Sequence, residues 1–460
     1  MSTKNKRITK NNQTISQIGF GTYRLTNTTE TRTILKKAIQ QGINLIDTAT
    51  NYQHGNAEIA IGNVIQELIY DNEITREAIS IISKAGYLEG KTYTKYNQTF
   101  NNIHHLSKQA GHCIDPKFLE TQLSESLLRL NLDYLDGYLI QNPETYFLNN
   151  KSSNEETYYK QIKEAMIYLE TEVEKGRIRY YGISSNTFSK TQKHPNSTSL
   201  PIVLDNLKDI PNHHFQIIQC PFNLIEHSLA QSKQSLSFFE LAHNHNLRVI
   251  TNRPLNAIIN NQLFKLVDID TDASITDIEI EDLIQNGMEH ELSLKNTLNE
   301  KEIPNISHHL TLFEKLTEIQ STAITYFTFR DLLESIFIPK VDHIISLFET
   351  INLDSDIENQ FLSYFSLFNH TAKELSCYYK QIHQTKILEL KSNLSNHIPT
   401  DIPMHTLSIQ AYKNTPHITS TLLGIRSEDQ LESAINNLNH SILNTEFPWD
   451  ELTLHNLKTT

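Results

Sequence analysis

Short apolar runs rich in Ile, Val and Tyr alternate with longer amphipathic stretches through the first 255 residues of this chain. The runs Ile15–Thr22, Ile43–Thr48, Ala78–Ser83, Leu135–Ile140, Arg179–Ser184, Phe215–Pro221 and Arg248–Asn252 are apolar in succession, which predicts buried strands of a parallel sheet. The stretches between them carry helical period. Thr31–Gln41 stops at Gly42 and Glu155–Lys175 stops at Gly176, each a residue suited to a helix C-terminus. Asp115 as cap and Pro116 in the first turn open a helix that puts Leu119, Leu123, Leu127 and Leu130 on one face. Ser228–Asn246 is expected to form the next helix, and a last strand, Thr421–Ile425, comes only near the end. Strand–helix alternation repeated this often predicts an α/β fold. Eight repeats, with no G-x-G-x-x-G turn after the first strand, predict a (β/α)8 TIM barrel over an open doubly wound sheet.

Strands seven and eight stand far apart where a barrel needs one helix. The excess, residues 258–403, is helical in pattern at His309–Ile338, Lys340–Ile351 and Gln360–Leu394, with acidic residues crowding Asp268–Asp282. The expected organisation is a barrel from residues 14–257 and 404–445 with a large helical insertion, 258–403, between strands 7 and 8. By default such an insertion is a solvated embellishment without chemistry. Its functional reading is a lid above the C-terminal face, or an element that binds a protein partner.

Composition narrows the field. A formal net charge of −13 disfavours a nucleic-acid partner, because a phosphate-binding surface must be basic. Met1–Gln13 is polar, with no apolar core of a signal peptide, and no long apolar run predicts a membrane span. Cys113, Cys220 and Cys377 are too widely spaced for a zinc pattern or a disulfide framework, so the expected compartment is reducing and cytoplasmic. The pairs His104-His105, His213-His214 and His243/His245 lack acids or cysteines at ligand spacing, and no metal is expected.

Catalytic groups of a TIM barrel sit at the C-terminal ends of its strands. Here those ends carry Asp47, Lys84, Gln141-Asn142, Ser184-Ser185, Gln219, Asn252-Arg253 and Arg426. A purely structural barrel has no need of a polar group at nearly every strand end. Asp47, Tyr52 and Lys84 form a coherent set. A tyrosine titrates near 10, and an ammonium beside it is expected to lower that value; a carboxylate keeps the ammonium charged. The product is a general acid suited to protonating an alkoxide. Taken singly, each of the three is structural more often than not.

The segment Ile46–Glu58 (IDTATNYQHGNAE) resembles the aldo-keto reductase signature D-T-A-x-x-Y-x-x-G-x-x-E. Other segments are similar to that family in the right order: Gly19-Phe20-Gly21-Thr22-Tyr23, Ser83-Lys84, Ser124–Asp136, Gly182-Ile183-Ser184-Ser185-Asn186, Gln219–Leu224 and Gly424-Ile425-Arg426-Ser427 with Gln430 and Leu431. Any one of these is weak and the ordered set is specific.

The resemblance implies roles for these positions. Tyr52 is the proton donor, with Lys84 and Asp47 beside it. Ser184, Ser185 (or Asn186) and Gln219 hold a nicotinamide carboxamide, Phe222 stacks on the ring, and Leu255 and Asn256 follow the pyrophosphate. Arg426 pairs with a 2′-phosphate, and Thr22, Asp47, Gly424 and Gln430 complete an NADP(H) site. Two departures stand out. Gln141 replaces the histidine with which the family usually ends its fourth strand; an amide can orient a carbonyl but cannot titrate. Ser433 and Ala434 stand where the family often has Glu and Asn. The expected function is NADP(H)-dependent reduction of a small-molecule aldehyde or ketone, or oxidation of the corresponding alcohol or sugar. The alternative is an inactive or weak NADP(H)-binding barrel acting as a sensor or interaction protein. His54, beside Tyr52, is a lesser candidate for reaching substrate, and Tyr87–Gly111 reads as a long polar loop.

Overall fold

The computed structural model describes residues 6–8, 14–100, 102–148, 150, 153–190, 196–232, 236–259, 262–271, 274–320, 322, 324–350, 354–395, 399, 401–439, 443 and 446–452. The chain folds as two compact units, one of residues 1–254 with 406–451 and one of residues 255–405 with 452–460.

The first unit holds a closed barrel of parallel strands. In chain order these are Ile18–Gly21, Leu45–Asp47, Ser80–Ala85, Leu135–Gln141, Ile178–Ser184, Phe215–Pro221, Arg248–Asn252 and Ile418–Leu423. The last pairs with the first, Thr421 opposite Ile18 and Leu423 opposite Phe20, which closes the ring. Inside it Leu45, Ile82, Leu139, Ile217, Ile250 and Leu422 pack as one apolar cluster, so the barrel is a filled core. The first expected strand is two: Thr14–Ser16 pairs antiparallel with Lys6–Ile8, and only Ile18–Gly21 joins the barrel.

Caps explain where the helices begin. Thr28 and Thr31 form a capping box ahead of Thr29–Gln40, and the Asp115 carboxylate accepts from the Lys117 N–H ahead of Pro116–Leu130. The expected helix Ser228–Asn246 is instead a single turn, Ser228–Ala230, and a short helix, Phe238–Asn244. Ser237 and Glu240 cap each other reciprocally, which fixes the helix start at residue 238.

The second unit carries a hairpin, Asn256–Ile259 with Gln262–Lys265, and then helices. The longest is Ser355–Leu394. His309–Ile338 is not one helix but Leu312–Gln320 followed by Tyr326–Leu332, which runs through a π turn, Leu333–Phe337, into Ile338–Glu349. The acidic crowding around Asp268–Asp282 hid another helix, Asp277–Glu300. Its buried stripe is Ile280, Ile284, Gly287, Glu291, Leu294 and Leu298, a helical period that the intervening charges mask.

Candidate active site

Asp47 ends the second barrel strand and Lys84 lies near the end of the third, both buried. The Lys84 ammonium donates to Asp47 Oδ1 at 2.7 Å, Asp47 Oδ2 at 2.7 Å and the Thr48 carbonyl at 2.7 Å. Gln219 Nε2 donates to Asp47 Oδ1 at 2.7 Å, and Gln219 Oε1 accepts from Ser184 Oγ at 2.8 Å and Asn252 Nδ2 at 3.4 Å. Gln141, Ser184 and Gln219 lie in one row across adjacent strands, so parallel register alone brings them together. Thr22 joins through its own N–H and hydroxyl, both donating to the Asp47 carbonyl at 3.0 and 2.9 Å.

Tyr52 reaches this group from an unusual turn. Gln53, His54 and Gly55 have φ of 49°, 55° and 88° in succession, a left-handed path that strains the two non-glycine residues. A Cβ at residue 55 would lie 2.8 Å from Arg129 Cδ, so a side chain there would have to displace the arginine. Arg129 Nε in turn donates to the fully buried Glu58 at 2.7 Å, and Ser83 Oγ donates to the other Glu58 oxygen at 2.6 Å. The turn is thus tied to the residue preceding Lys84. The Tyr52 ring meets Tyr23 edge-on at 5.2 Å, and Lys84 Nζ sits 5.0 Å from its centroid. Its hydroxyl makes no hydrogen bond among the described residues.

The electrostatics differ from the expectation. Burial, helped by the Asp47 carboxylate, pushes the Tyr52 phenol well above its ordinary 10. Lys84 is lowered by burial, against the pull of Asp47. The ammonium spends its charge and its three donors on Asp47 and Thr48, so the geometry gives a firmly protonated phenol and no acidified one.

Gln141 is buried, and its side-chain Oε1 has no hydrogen-bond partner among the described residues. Its main-chain carbonyl accepts from His112 Nε2 at 2.7 Å. The stretch read as a loop after Lys84 is ordered: Tyr87–Glu89, His104–Ser107 and Ala110–His112 form an antiparallel sheet, with a helix at Lys91–Tyr96. Single-residue alternation over so few positions, broken by a bulge between His105 and Ser107, leaves no strand pattern to read. His112 and Tyr87 were therefore missed as neighbours of Gln141.

Other expected site residues scatter. The Ser185 hydroxyl is engaged with Thr187 Oγ1 and Thr198 Oγ1, both at 3.0 Å, in a separate network, while Asn186 is exposed. Phe222 does not offer a free face: it is fully buried among Phe239, Tyr412 and Trp449, with centroids at 4.9, 5.9 and 4.7 Å. The distant Trp449 supplies that cover, which local sequence could not announce. Leu255 and Asn256 belong to the second unit, where Asn256 opens the hairpin. Gly424, Arg426 and Gln430 form one exposed turn at the start of the helix Glu428–Asn439, in which Gln430 Oε1 accepts the Arg426 N–H at 2.9 Å. His54 is exposed. Among the described residues no cluster of His, Cys, Asp and Glu could hold a metal ion, and no helix is long and apolar enough to cross a membrane.

Comparison with known proteins identifies the family. The sequence profile of the aldo/keto reductase family matches residues 17–273. The chain is 31% identical over 182 residues to an NAD(P)H-dependent D-xylose reductase of Candida tropicalis, covering 37% of this chain and 48% of that protein. It is 31% identical over 98 residues to the NADH-specific methylglyoxal reductase of Escherichia coli, covering 21% of this chain and 26% of that one. The chain thus spans about half or less of the curated relatives it matches. Among solved structures, it is similar to an aldo-keto reductase of Bacillus halodurans in its holo form, with a TM-score of 0.48 and 16% identity over 95% of this chain and 92% of that one.

Proposed function

The chain belongs to the aldo/keto reductase family, and from that membership we propose that it is a nicotinamide-dependent carbonyl reductase with Tyr52 as proton donor. The observation that carries the reading is a free tyrosine hydroxyl beside a buried Lys84–Asp47–Gln219–Ser184 chain. A nicotinamide, when bound, supplies a hydride to the carbonyl carbon. The residues do the rest. Tyr52 gives its proton to the carbonyl oxygen as negative charge grows there. Lys84, held by Asp47, places positive charge beneath the phenol ring and steadies the phenolate left behind. The Gln141 amide orients the carbonyl through a hydrogen bond and takes no part in proton traffic, since it cannot titrate.

The donor set fits a nicotinamide. Asn252 Oδ1 is buried with no hydrogen-bond partner among the described residues, an acceptor suited to a carboxamide NH2, and it adjoins Gln219 and Ser184. Gly424 and Arg426 are exposed, and a Cβ at Gly424 would meet nothing within 4 Å, so the turn is open to a phosphate. A guanidinium there favours NADP(H) over NAD(H).

NADPH fluorescence titration followed by a panel of aldehydes and ketones, run on wild type and Tyr52→Phe, tests the reading. The variant should bind NADPH as wild type does and lose turnover by about 10²–10⁴-fold. Equal turnover in the variant would discard Tyr52 as donor. Binding without turnover across the panel would favour a cofactor-binding sensor or interaction protein.

A further inference from the structure

We propose that His112 is a positioning residue of this site: through the main-chain carbonyl of Gln141 it sets the end of the fourth barrel strand, and with it the Gln141 amide and the Tyr87 ring, as one wall of the substrate pocket. The inference rests on the carbonyl-reductase reading above, which it deepens.

A carbonyl oxygen only accepts, so the 2.7 Å contact places the hydrogen on His112 Nε2 and leaves Nδ1 as the acceptor nitrogen. The ring is buried, 3% exposed, although it comes from a strand beyond the barrel. Its approach depends on Gly86: a Cβ at that position would lie 2.5 Å from the Gln141 carbonyl oxygen and 2.6 Å from His112 Nε2. The contact therefore needs a residue without a side chain at position 86. The Cys113 N–H donates to the Gly86 carbonyl at 2.8 Å, and Tyr87 is the cross-strand partner of His112. Their rings meet edge-on at 5.1 Å.

The circuit closes through Tyr87. Its hydroxyl accepts from Asn142 Nδ2 at 3.1 Å and shares a hydrogen bond with Thr145 Oγ1 at 3.1 Å. Asn142 adopts a left-handed φ of 45° directly after Gln141. Two side chains of the small sheet thus grip consecutive residues, Gln141 by its carbonyl and Asn142 by its amide. Between these clamps the Gln141 side-chain oxygen remains buried without a partner among the described residues. A buried acceptor in that state is suited to a substrate hydroxyl, while the amide Nε2 is the atom that donates to the substrate carbonyl, so the aim of the amide matters. Burial lowers His112 to about 4 against the opposing pull of the Gln141 carbonyl, with its cross-strand partner His104 adding to the lowering, so the ring is neutral near pH 7 and its one N–H stays committed to the carbonyl. The other members of this circuit are Tyr87, Asn142 and Thr145, and His104 pairs with His112 across the small sheet.

A double-mutant cycle on the full chain tests the proposal: His112→Phe and Gln141→Ala, singly and together, with the carbonyl substrate that the panel identifies. His112→Phe should lower kcat/KM by about tenfold, mainly through KM, while the Kd for NADPH stays within about twofold. In the Gln141→Ala background the same change should cost less than about twofold, because the group it aims is gone. His112→Gln, which restores an amide donor, should recover activity to within about threefold of wild type. Additive effects in the cycle, or a His112→Gln variant as poor as His112→Phe, overturn the proposal. Should His112→Phe not fold, His112→Gln against His112→Met makes the same comparison of donor with no donor. Loss of turnover in Tyr52→Phe beside an additive cycle sinks the role of His112 alone; undiminished turnover in Tyr52→Phe sinks the reading beneath it.

Discussion

Lys84 faces the Tyr52 ring with its nitrogen 5.0 Å from the centroid, yet none of its N–H bonds is left for the phenol: two go to the Asp47 carboxylate and one to the Thr48 carbonyl. The ammonium therefore acts on the tyrosine through its field, and that field is offset by Asp47. This arrangement keeps the phenol protonated, since burial and Asp47 both disfavour its ionised form.

The pH dependence follows with a definite sign. A phenol raised above 10 holds its proton across the neutral and mildly basic range. Reductive kcat should show no basic limb assignable to Tyr52 below about pH 10, whereas alcohol oxidation, which needs the phenolate, should rise with pH. A reductive kcat that falls with an apparent pKa of about 7–9, with cofactor saturating, would contradict this placement of the proton.

Breaking the buried pair on one side should be costly. Lys84→Met leaves Asp47 buried without its cation and should lower unfolding free energy by about 3–5 kcal/mol in a urea titration. Lys84→Met with Asp47→Asn should lose less than the sum of the two single changes, because no unpaired charge remains. A strictly additive double variant would show that the two residues do not act as a pair.

The exposed turn at Arg426 should decide cofactor choice. Arg426→Ala is expected to weaken NADPH binding by about 10–100-fold, or about 1.4–2.8 kcal/mol, while NADH binding changes little. Equal weakening of both cofactors would place Arg426 away from the 2′-phosphate.

Gly287→Ala reverses an ordinary rule. In a helix interior the change normally stabilises by up to about 1 kcal/mol. Here a Cβ would lie 1.9 Å from Phe313 Cε1, and that ring is fully buried in the core of the second unit. The variant should lose about 1–3 kcal/mol in chemical denaturation. A more stable variant would mean that the ring yields freely.

The barrel was legible because each buried strand is a short apolar run and helices such as Thr29–Gln40 and Pro116–Leu130 carry their own caps, all local signals. That Asp47, Lys84, Ser184 and Gln219 come together was legible because strand ends of a parallel barrel converge wherever they fall in the chain. What lay hidden depended on partners remote in sequence. Trp449 encloses Phe222, and the His112 ring meets the Gln141 carbonyl where Gly86 leaves room for both. The sign of the Tyr52 shift was hidden as well. A charge felt through space depends on where its counter-charge sits, and only the fold sets the 2.7 Å contacts that commit Lys84 to Asp47.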